Sequence, residues 1–124
     1  MPSSIKVKIL VVDDEPEIRQ MVVDFLRDVE GYDVVSANDG PQALELLAKE
    51  PFDLVLSDIN MPGMSGLELL KNIKQKYENP PPVVMMITAY GDAENYNKSM
   101  ELGADDFLTK PLDFSILKEK LKLK

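Results

Sequence analysis

Asp13 and Asp14, Asp58, Thr88 and Lys110 are acids, a hydroxyl and an ammonium, and each stands where an apolar run of the chain ends. Brought together, three carboxylates would repel, and one would be pushed toward protonation. A divalent cation removes that conflict. The ligands on offer are oxygens, which favours Mg²⁺ or Mn²⁺ over Zn²⁺. Lys110 adds a second cation that a phosphoryl group could meet, and Thr88 adds a neutral donor. The set suits holding a phosphoryl group beside a carboxylate. The chain contains no histidine and no cysteine. With the usual covalent carriers missing, a carboxylate is the natural acceptor, and the product is an aspartyl phosphate.

The elements between these residues decide whether they can meet. Lys6–Val12 is an apolar run ending in Asp13-Asp14-Glu15-Pro16. Pro16 suits a first helical turn, and acids there complement the helix dipole. Ile18, Met21, Val22, Phe25, Leu26 and Val29 then recur at helical spacing up to Gly31. A second run, Tyr32–Ala37, is followed by Asp39 and Gln42, a helix start, with Ala43, Leu44, Leu47 and Ala48 as its stripe. The third run, Phe52–Ser57, ends at Asp58. A loop carrying Pro62, Gly63 and Gly66 opens a helix with Leu67, Leu70, Ile73 and Tyr77, stopped by Pro80-Pro81-Pro82. Val83–Thr88 is the most apolar run. The fourth helix, Ala93–Leu102, has the poorest stripe, with Ala93, Tyr96, Met100 and Leu102 as its inward residues and Gly103 as its terminator. A strand over Asp106–Thr109 leads to Lys110-Pro111, and Asp113 caps a last helix with Phe114, Leu117 and Leu121 on one face.

Strongly apolar strands alternating with helices predict a parallel sheet covered on both faces. The fold class is α/β, a flavodoxin-like doubly wound (βα)5 three-layer sandwich with strand order 2-1-3-4-5. Working sites in such folds lie beyond the carboxyl ends of the strands, near the switch point between strands 1 and 3. That is where the acids, the threonine and the lysine fall.

The 124 residues predict one domain spanning 1–124, with no linker, repeat or low-complexity tract. Acids outnumber bases by 22 to 14, and a formal charge of −8 argues against direct nucleic-acid binding. The absence of histidine also excludes imidazole triads, HExxH metal sites and phosphohistidine carriers. The apolar run at Met1–Val12 is far too short to span a membrane and lacks the layout of a signal peptide. A cytoplasmic location with no membrane partner is the expectation.

The chain resembles the receiver domain of two-component response regulators. The resemblance covers essentially the whole sequence. It rests on Val11-Val12-Asp13-Asp14-Glu15, on Leu56-Ser57-Asp58-Ile59-Asn60-Met61-Pro62-Gly63-Met64-Ser65-Gly66, on Ile87-Thr88-Ala89, and on Gly103-Ala104-Asp105-Asp106-Phe107-Leu108-Thr109-Lys110-Pro111. Each piece alone is weak, but four in the right order on the right strands are specific. The resemblance implies that Asp58 is the phosphoacceptor. It implies that Asp14, Asp58 and the backbone carbonyl of Asn60 bind Mg²⁺ directly, with Asp13 acting through a metal-bound water. Lys110 would pair with phosphoryl oxygens, and the Lys110–Pro111 peptide would be cis, an uncommon state even before proline. Thr88 would bond the phosphoryl group and couple it to a switch. Phe107 stands where receivers carry a rotating aromatic, often tyrosine; phenylalanine keeps the packing change and loses the hydroxyl. Asn60 and Tyr90 would tune the lifetime of the aspartyl phosphate.

The resemblance further implies a phosphohistidine partner, either a sensor histidine kinase or a histidine phosphotransfer protein. It implies an output domain, fused or separate. The face of the fourth helix, fifth strand and fifth helix (α4-β5-α5) would change on phosphorylation and is the surface for a homodimer. On this reading the chain is a signalling phosphoacceptor with self-catalysed chemistry, not an enzyme acting on a separate substrate.

Other readings fit less well. A flavin-binding flavodoxin needs a hydroxyl- and glycine-rich loop after strand 1, where this chain has Asp13-Asp14-Glu15-Pro16. A haloacid-dehalogenase-type phosphatase needs a second aspartate two residues after the nucleophile, and position 60 is Asn. A serine hydrolase needs a nucleophile elbow, and Gly63-Met64-Ser65-Gly66 misses its spacing. A receiver acting as a phosphate-independent interaction module is the remaining alternative, and intact Asp14, Asp58, Thr88 and Lys110 argue against it. Taken singly, Asp13 and Asp14 could cap a helix, Asp58 could be a turn acid, and Lys110 could be a surface lysine. Met61 and Met64 read as fillers, and Lys118, Lys120, Lys122 and Lys124 as a solvated helix face.

Overall fold

A computed structural model describes residues 7–29, 31–76, 81–89 and 91–122. Among them, five strands alternate with five helices: β1 (Lys8–Val12), α1 (Pro16–Asp24), β2 (Asp33–Ala37), α2 (Gly40–Lys49), β3 (Leu54–Asp58), α3 (Gly66–Lys76), β4 (Val83–Ala89), α4 (Ala93–Glu101), β5 (Asp106–Lys110) and α5 (Phe114–Lys122). The strands are parallel in the order β2-β1-β3-β4-β5, the doubly wound order read from the sequence.

Alternation along the buried strands sorts side chains between two cores. Leu10 and Val12 of β1, Val55 of β3, and Val84 and Met86 of β4 pack with Ala43 and Leu47 of α2 and Leu69, Leu70 and Ile73 of α3. Ile9, Val11, Leu54, Leu56, Met85 and Ile87 face the other way, against Val22 and Val23 of α1 and Leu117 and Leu121 of α5. Two apolar layers against one sheet give the three-layer sandwich.

Several sequence expectations need correction. The first helix does not run evenly to Val29; after Asp24 the chain winds as a π-helical stretch, Phe25–Val29. Val23 is buried and Met21 is 56% exposed. Phe25 stacks on Phe114 of α5 with ring centroids 4.8 Å apart. In α2, Ala48 is exposed, and Leu46 packs half-buried against the core instead. β2 begins at Asp33 rather than Tyr32, and β3 at Leu54 rather than Phe52. Phe52 is buried off the ladder, beneath the Lys8 ammonium at 5.4 Å. In α4, Ala93 and Met100 are exposed and the buried residue is Ser99, whose hydroxyl donates to the Tyr96 carbonyl at 2.8 Å. The expectations placed on Lys6, the Val29 side chain, Tyr77, Pro80, Tyr90 and Lys124 lie outside the described residues. Among the described residues, no helix is long and apolar enough to cross a membrane.

Candidate functional site

The ladder register sets the backbone positions. The Asp13 N–H donates to the Ala37 carbonyl of β2 at 3.2 Å, so the β1–α1 loop leaves the sheet in line with it. Asp58 closes β3 in register with Ile87, and Lys110 closes β5 in register with Ala89. Asp13, Asp58, Thr88 and Lys110 therefore share one end of the sheet.

The side chains complete the site. Asp58 is 1% exposed. Both its carboxylate oxygens are engaged: Oδ1 accepts from the Asn60 N–H at 3.2 Å, and Oδ2 accepts from Lys110 Nζ at 2.8 Å. Asp13 is equally buried. Its Oδ1 accepts from the Glu15 N–H at 2.9 Å, and its Oδ2 has no hydrogen-bond partner. Carboxylate oxygens of Asp13, Asp14, Glu15 and Asp58 all lie within 4.8 Å of one another. Lys110 Nζ is also 3.6 Å from Glu15 Oε1.

The electrostatics follow from this crowding. Burial pushes the Asp13 carboxyl above its ordinary pKa; the Glu15 N–H opposes, Asp58 and Glu15 add to the rise by repulsion, and Lys110 also opposes. For Lys110, burial works to lower the pKa. The hydrogen bond and charge of Asp58, helped by Asp13 and Glu15, outweigh it and hold the ammonium above its ordinary value. Among the described residues, Lys110 is the cation paired with carboxylates of this cluster of four acids. An orphaned, buried carboxylate oxygen inside an all-oxygen cluster with surplus negative charge fits a hard divalent cation.

Backbone geometry holds Asp58 in place. The Ile59 N–H donates to the Ile87 carbonyl at 3.1 Å, and the Gly66 N–H to the Ile59 carbonyl at 2.8 Å. The start of α3 comes so close that a Cβ at Gly66 would collide with the Asp58 carbonyl oxygen. That carbonyl also accepts from the Ser57 hydroxyl at 3.0 Å. The Lys110–Pro111 peptide is cis. Neither Asp13 nor Asp14 is the N-cap of α1; that residue is Glu15.

One residue at the site carries no mark in the sequence, and another carries no assigned role there. Arg19 Nη1 donates to the Asp13 carbonyl at 2.8 Å, tying α1 back to the acidic loop. A single arginine in an amphipathic helix carries no signal for this. Glu15 joins the acid cluster, although the sequence marks it only as a helix-start acid that follows two aspartates and closes the first motif.

Thr88 is buried at the end of β4. Its hydroxyl donates to the Ala89 carbonyl at 3.5 Å, and no hydrogen bond joins it to Asp58 or Lys110 among the described residues. Phe107 is half-buried between α4 and α5. Tyr96 meets its ring edge-on at 4.5 Å, and Lys120 Nζ lies 5.0 Å from its centroid. Lys120 also pairs with Asp106 at 2.7 Å, so this lysine is not part of a merely solvated face. Asn60 is exposed at the start of the β3–α3 loop.

The sequence matches the response regulator receiver domain family over residues 9–122. It is 46% identical over 112 residues to the response regulator protein PilR of Pseudomonas aeruginosa, covering 90% of this chain and 24% of PilR. It is 42% identical over 114 residues to the chemotaxis protein CheY-3 of Vibrio cholerae, covering 92% of this chain and 88% of CheY-3. Among solved structures, the chemotaxis protein CheY4 of Vibrio cholerae is similar at a TM-score of 0.88 and 35% identity, covering 96% of this chain and 98% of that one. The chain thus spans about a quarter of one relative and most of another.

Proposed function

The chain belongs to the response regulator receiver domain family, a two-component phosphoacceptor family, and on that premise we propose that Asp58 takes a phosphoryl group in a reaction that depends on Mg²⁺ or Mn²⁺. The observation that carries the reading is the placement of Asp58: buried, with Lys110 Nζ at 2.8 Å on one oxygen and a cluster of acids within 4.8 Å. Residues 1–124 are read as a single receiver domain.

Asp14, Asp58 and the Asn60 carbonyl would hold the cation, with Asp13 acting through a water. The bound cation supplies positive charge that offsets the acids and the phosphoryl oxygens. The Asp58 carboxylate attacks phosphorus in line. The new O–P bond forms as the P–N bond to a donor imidazole breaks, and the imidazole leaves. Lys110 pairs with the equatorial oxygens, so the catalysis is positioning and electrostatics. Hydrolysis of the acyl phosphate later restores the carboxylate, with Asn60 and Tyr90 as tuners of its lifetime.

The donor is a sensor histidine kinase or a histidine phosphotransfer protein. Thr88 turns from the Ala89 carbonyl to the phosphoryl group, and Phe107 moves inward from between Tyr96 and Lys120. That remodels the α4–β5–α5 face for an output domain, fused or separate, or for a second copy of the chain. The location is cytoplasmic, without direct nucleic-acid or membrane contact.

The test is intact mass after incubation with acetyl phosphate and Mg²⁺. The wild type gains one phosphoryl unit, and Asp58→Ala gains none. An adduct undiminished in Asp58→Ala removes the assignment.

A further inference from the structure

Glu15 is the acid in the cluster to which the proposed chemistry gives no role, and its side chain, at the N-cap of α1, makes no hydrogen bond to the helix it precedes. Only its backbone N–H serves the loop, donating to Asp13 Oδ1 at 2.9 Å. Mg²⁺ commonly takes one or two carboxylates and keeps its waters. Asp13, Asp14 and Asp58 already meet that need. A fourth carboxylate beside them adds repulsion, and the positive group that faces it is Lys110, at 3.6 Å.

We propose that Glu15 is a positioning residue for Lys110, holding its ammonium beside the cluster whenever Asp58 Oδ2 is engaged elsewhere. The inference rests on the metal-dependent phosphoacceptor reading and adds a residue to it. In this structure Lys110 touches both acids, Asp58 at 2.8 Å and Glu15 at 3.6 Å. The short contact is to the buried acid that reacts. The longer one is to an acid 54% exposed that does not.

When a cation claims Asp58 before any phosphoryl group arrives, Lys110 is left with solvent or Glu15 to turn to. Lysine carries a compact charge on a flexible stem with rotatable donors, so turning to Glu15 needs little movement. It also keeps the charge within reach of a phosphoryl oxygen. A glutamine at position 15 keeps an acceptor but not the charge. Lys110 then concentrates on Asp58 and competes harder against the metal.

A double-mutant cycle on Mg²⁺ affinity tests this, read from amide resonances of Asp13–Glu15 and Asp58–Asn60 during titration. The proteins are wild type, Glu15→Gln, Lys110→Met and the double variant. Glu15→Gln should weaken Mg²⁺ binding about fivefold when Lys110 is present and less than about twofold when it is Met. Should Lys110→Met not fold, Lys110→Gln closes the same cycle. Equal weakening in both backgrounds overturns the proposal, because Glu15 then acts on the cation directly as a charge. No weakening in either background overturns it as well. A wild type that binds no Mg²⁺ at all is a different failure: it removes the metal reading, and this inference with it.

Discussion

Lys110 Nζ lies 2.8 Å from Asp58 Oδ2, and this contact joins the last residue of β5 to the last residue of β3 across the intervening strand β4. The lysine occupies the position of a counterion for an acid cluster it cannot neutralise alone. It is therefore both a support for the fold and a competitor for any added cation.

Replacing Lys110 with Met should separate these two roles. In chelator-treated buffer the variant should lose about 2 kcal/mol of stability, because Asp58 is left buried with an uncompensated charge. Its Mg²⁺ affinity should equal or exceed that of the wild type. Urea unfolding with and without Mg²⁺ measures both effects, and the cation should restore much of the lost stability. Weaker Mg²⁺ binding in this variant would mean that Lys110 helps to build the metal site.

Asp13 should make stability fall as pH rises. Its folded pKa is raised by burial, so the native state binds the proton more tightly than the unfolded chain does. Stability from this group is present below its ordinary value of 3.8 and is lost as pH climbs through the raised one. Above that raised value the cost is fully in place. Asp13→Asn keeps an oxygen for the Glu15 N–H and removes the charge, so it should stabilise the metal-free protein by about 1 kcal/mol at neutral pH. The gain should vanish in acid. Thermal melts across pH read the difference, and a gain independent of pH would point to packing instead.

Gly66→Ala should cost about 1–3 kcal/mol, because the added methyl has to push apart the start of α3 and the Asp58 carbonyl. The obstacle is backbone, not the end of a flexible side chain. Amide shifts should concentrate at Ser57–Asn60. A variant as stable as the wild type would show that the loop yields freely.

Thr88→Ala should still accept phosphate, since the hydroxyl is not the nucleophile, and should lose the coupling to the distant face. A fluoroberyllate mimic should shift amide resonances across residues 93–110 in the wild type and much less in the variant. Switch couplings of this kind amount to roughly 1–3 kcal/mol. Wild-type shifts confined to the residues around Asp58 would favour a phosphate-independent interaction module.

The strand order and the meeting of Asp13, Asp14, Asp58 and Lys110 were readable from the chain, because period and punctuation agree there. Asp39 does cap α2, accepting from the Gln42 N–H at 2.8 Å, while the Gln42 side chain accepts from the Asn38 N–H at 2.7 Å. What stayed hidden depended on turns and on neighbours far along the chain. The π-helical stretch at Phe25–Val29 breaks the 3.6-residue period assumed for the end of the first helix. Met21 and Val23 lie on either side of buried Val22, so spacing alone does not choose which of them turns inward. Ser99 is buried because α4 sits close to its neighbours, where the small side chain bonds its own helix at Tyr96. Lys120 looked like one of a solvated row, and only the fold places it over Phe107. Glu15 looked like a helix-start acid, and only the position of Lys110 gives it another partner.

The central claim is that the phosphoryl group resides on Asp58, and mapping the modified residue tests it most directly. The wild type is treated with acetyl phosphate and Mg²⁺, reduced with borohydride to convert the acyl phosphate to homoserine, digested and sequenced by tandem mass spectrometry. Homoserine at position 58, dependent on both reagents, is the predicted result. Homoserine at Asp13 or Asp14, or none at position 58 in a sample that has gained a phosphoryl unit, would contradict the account.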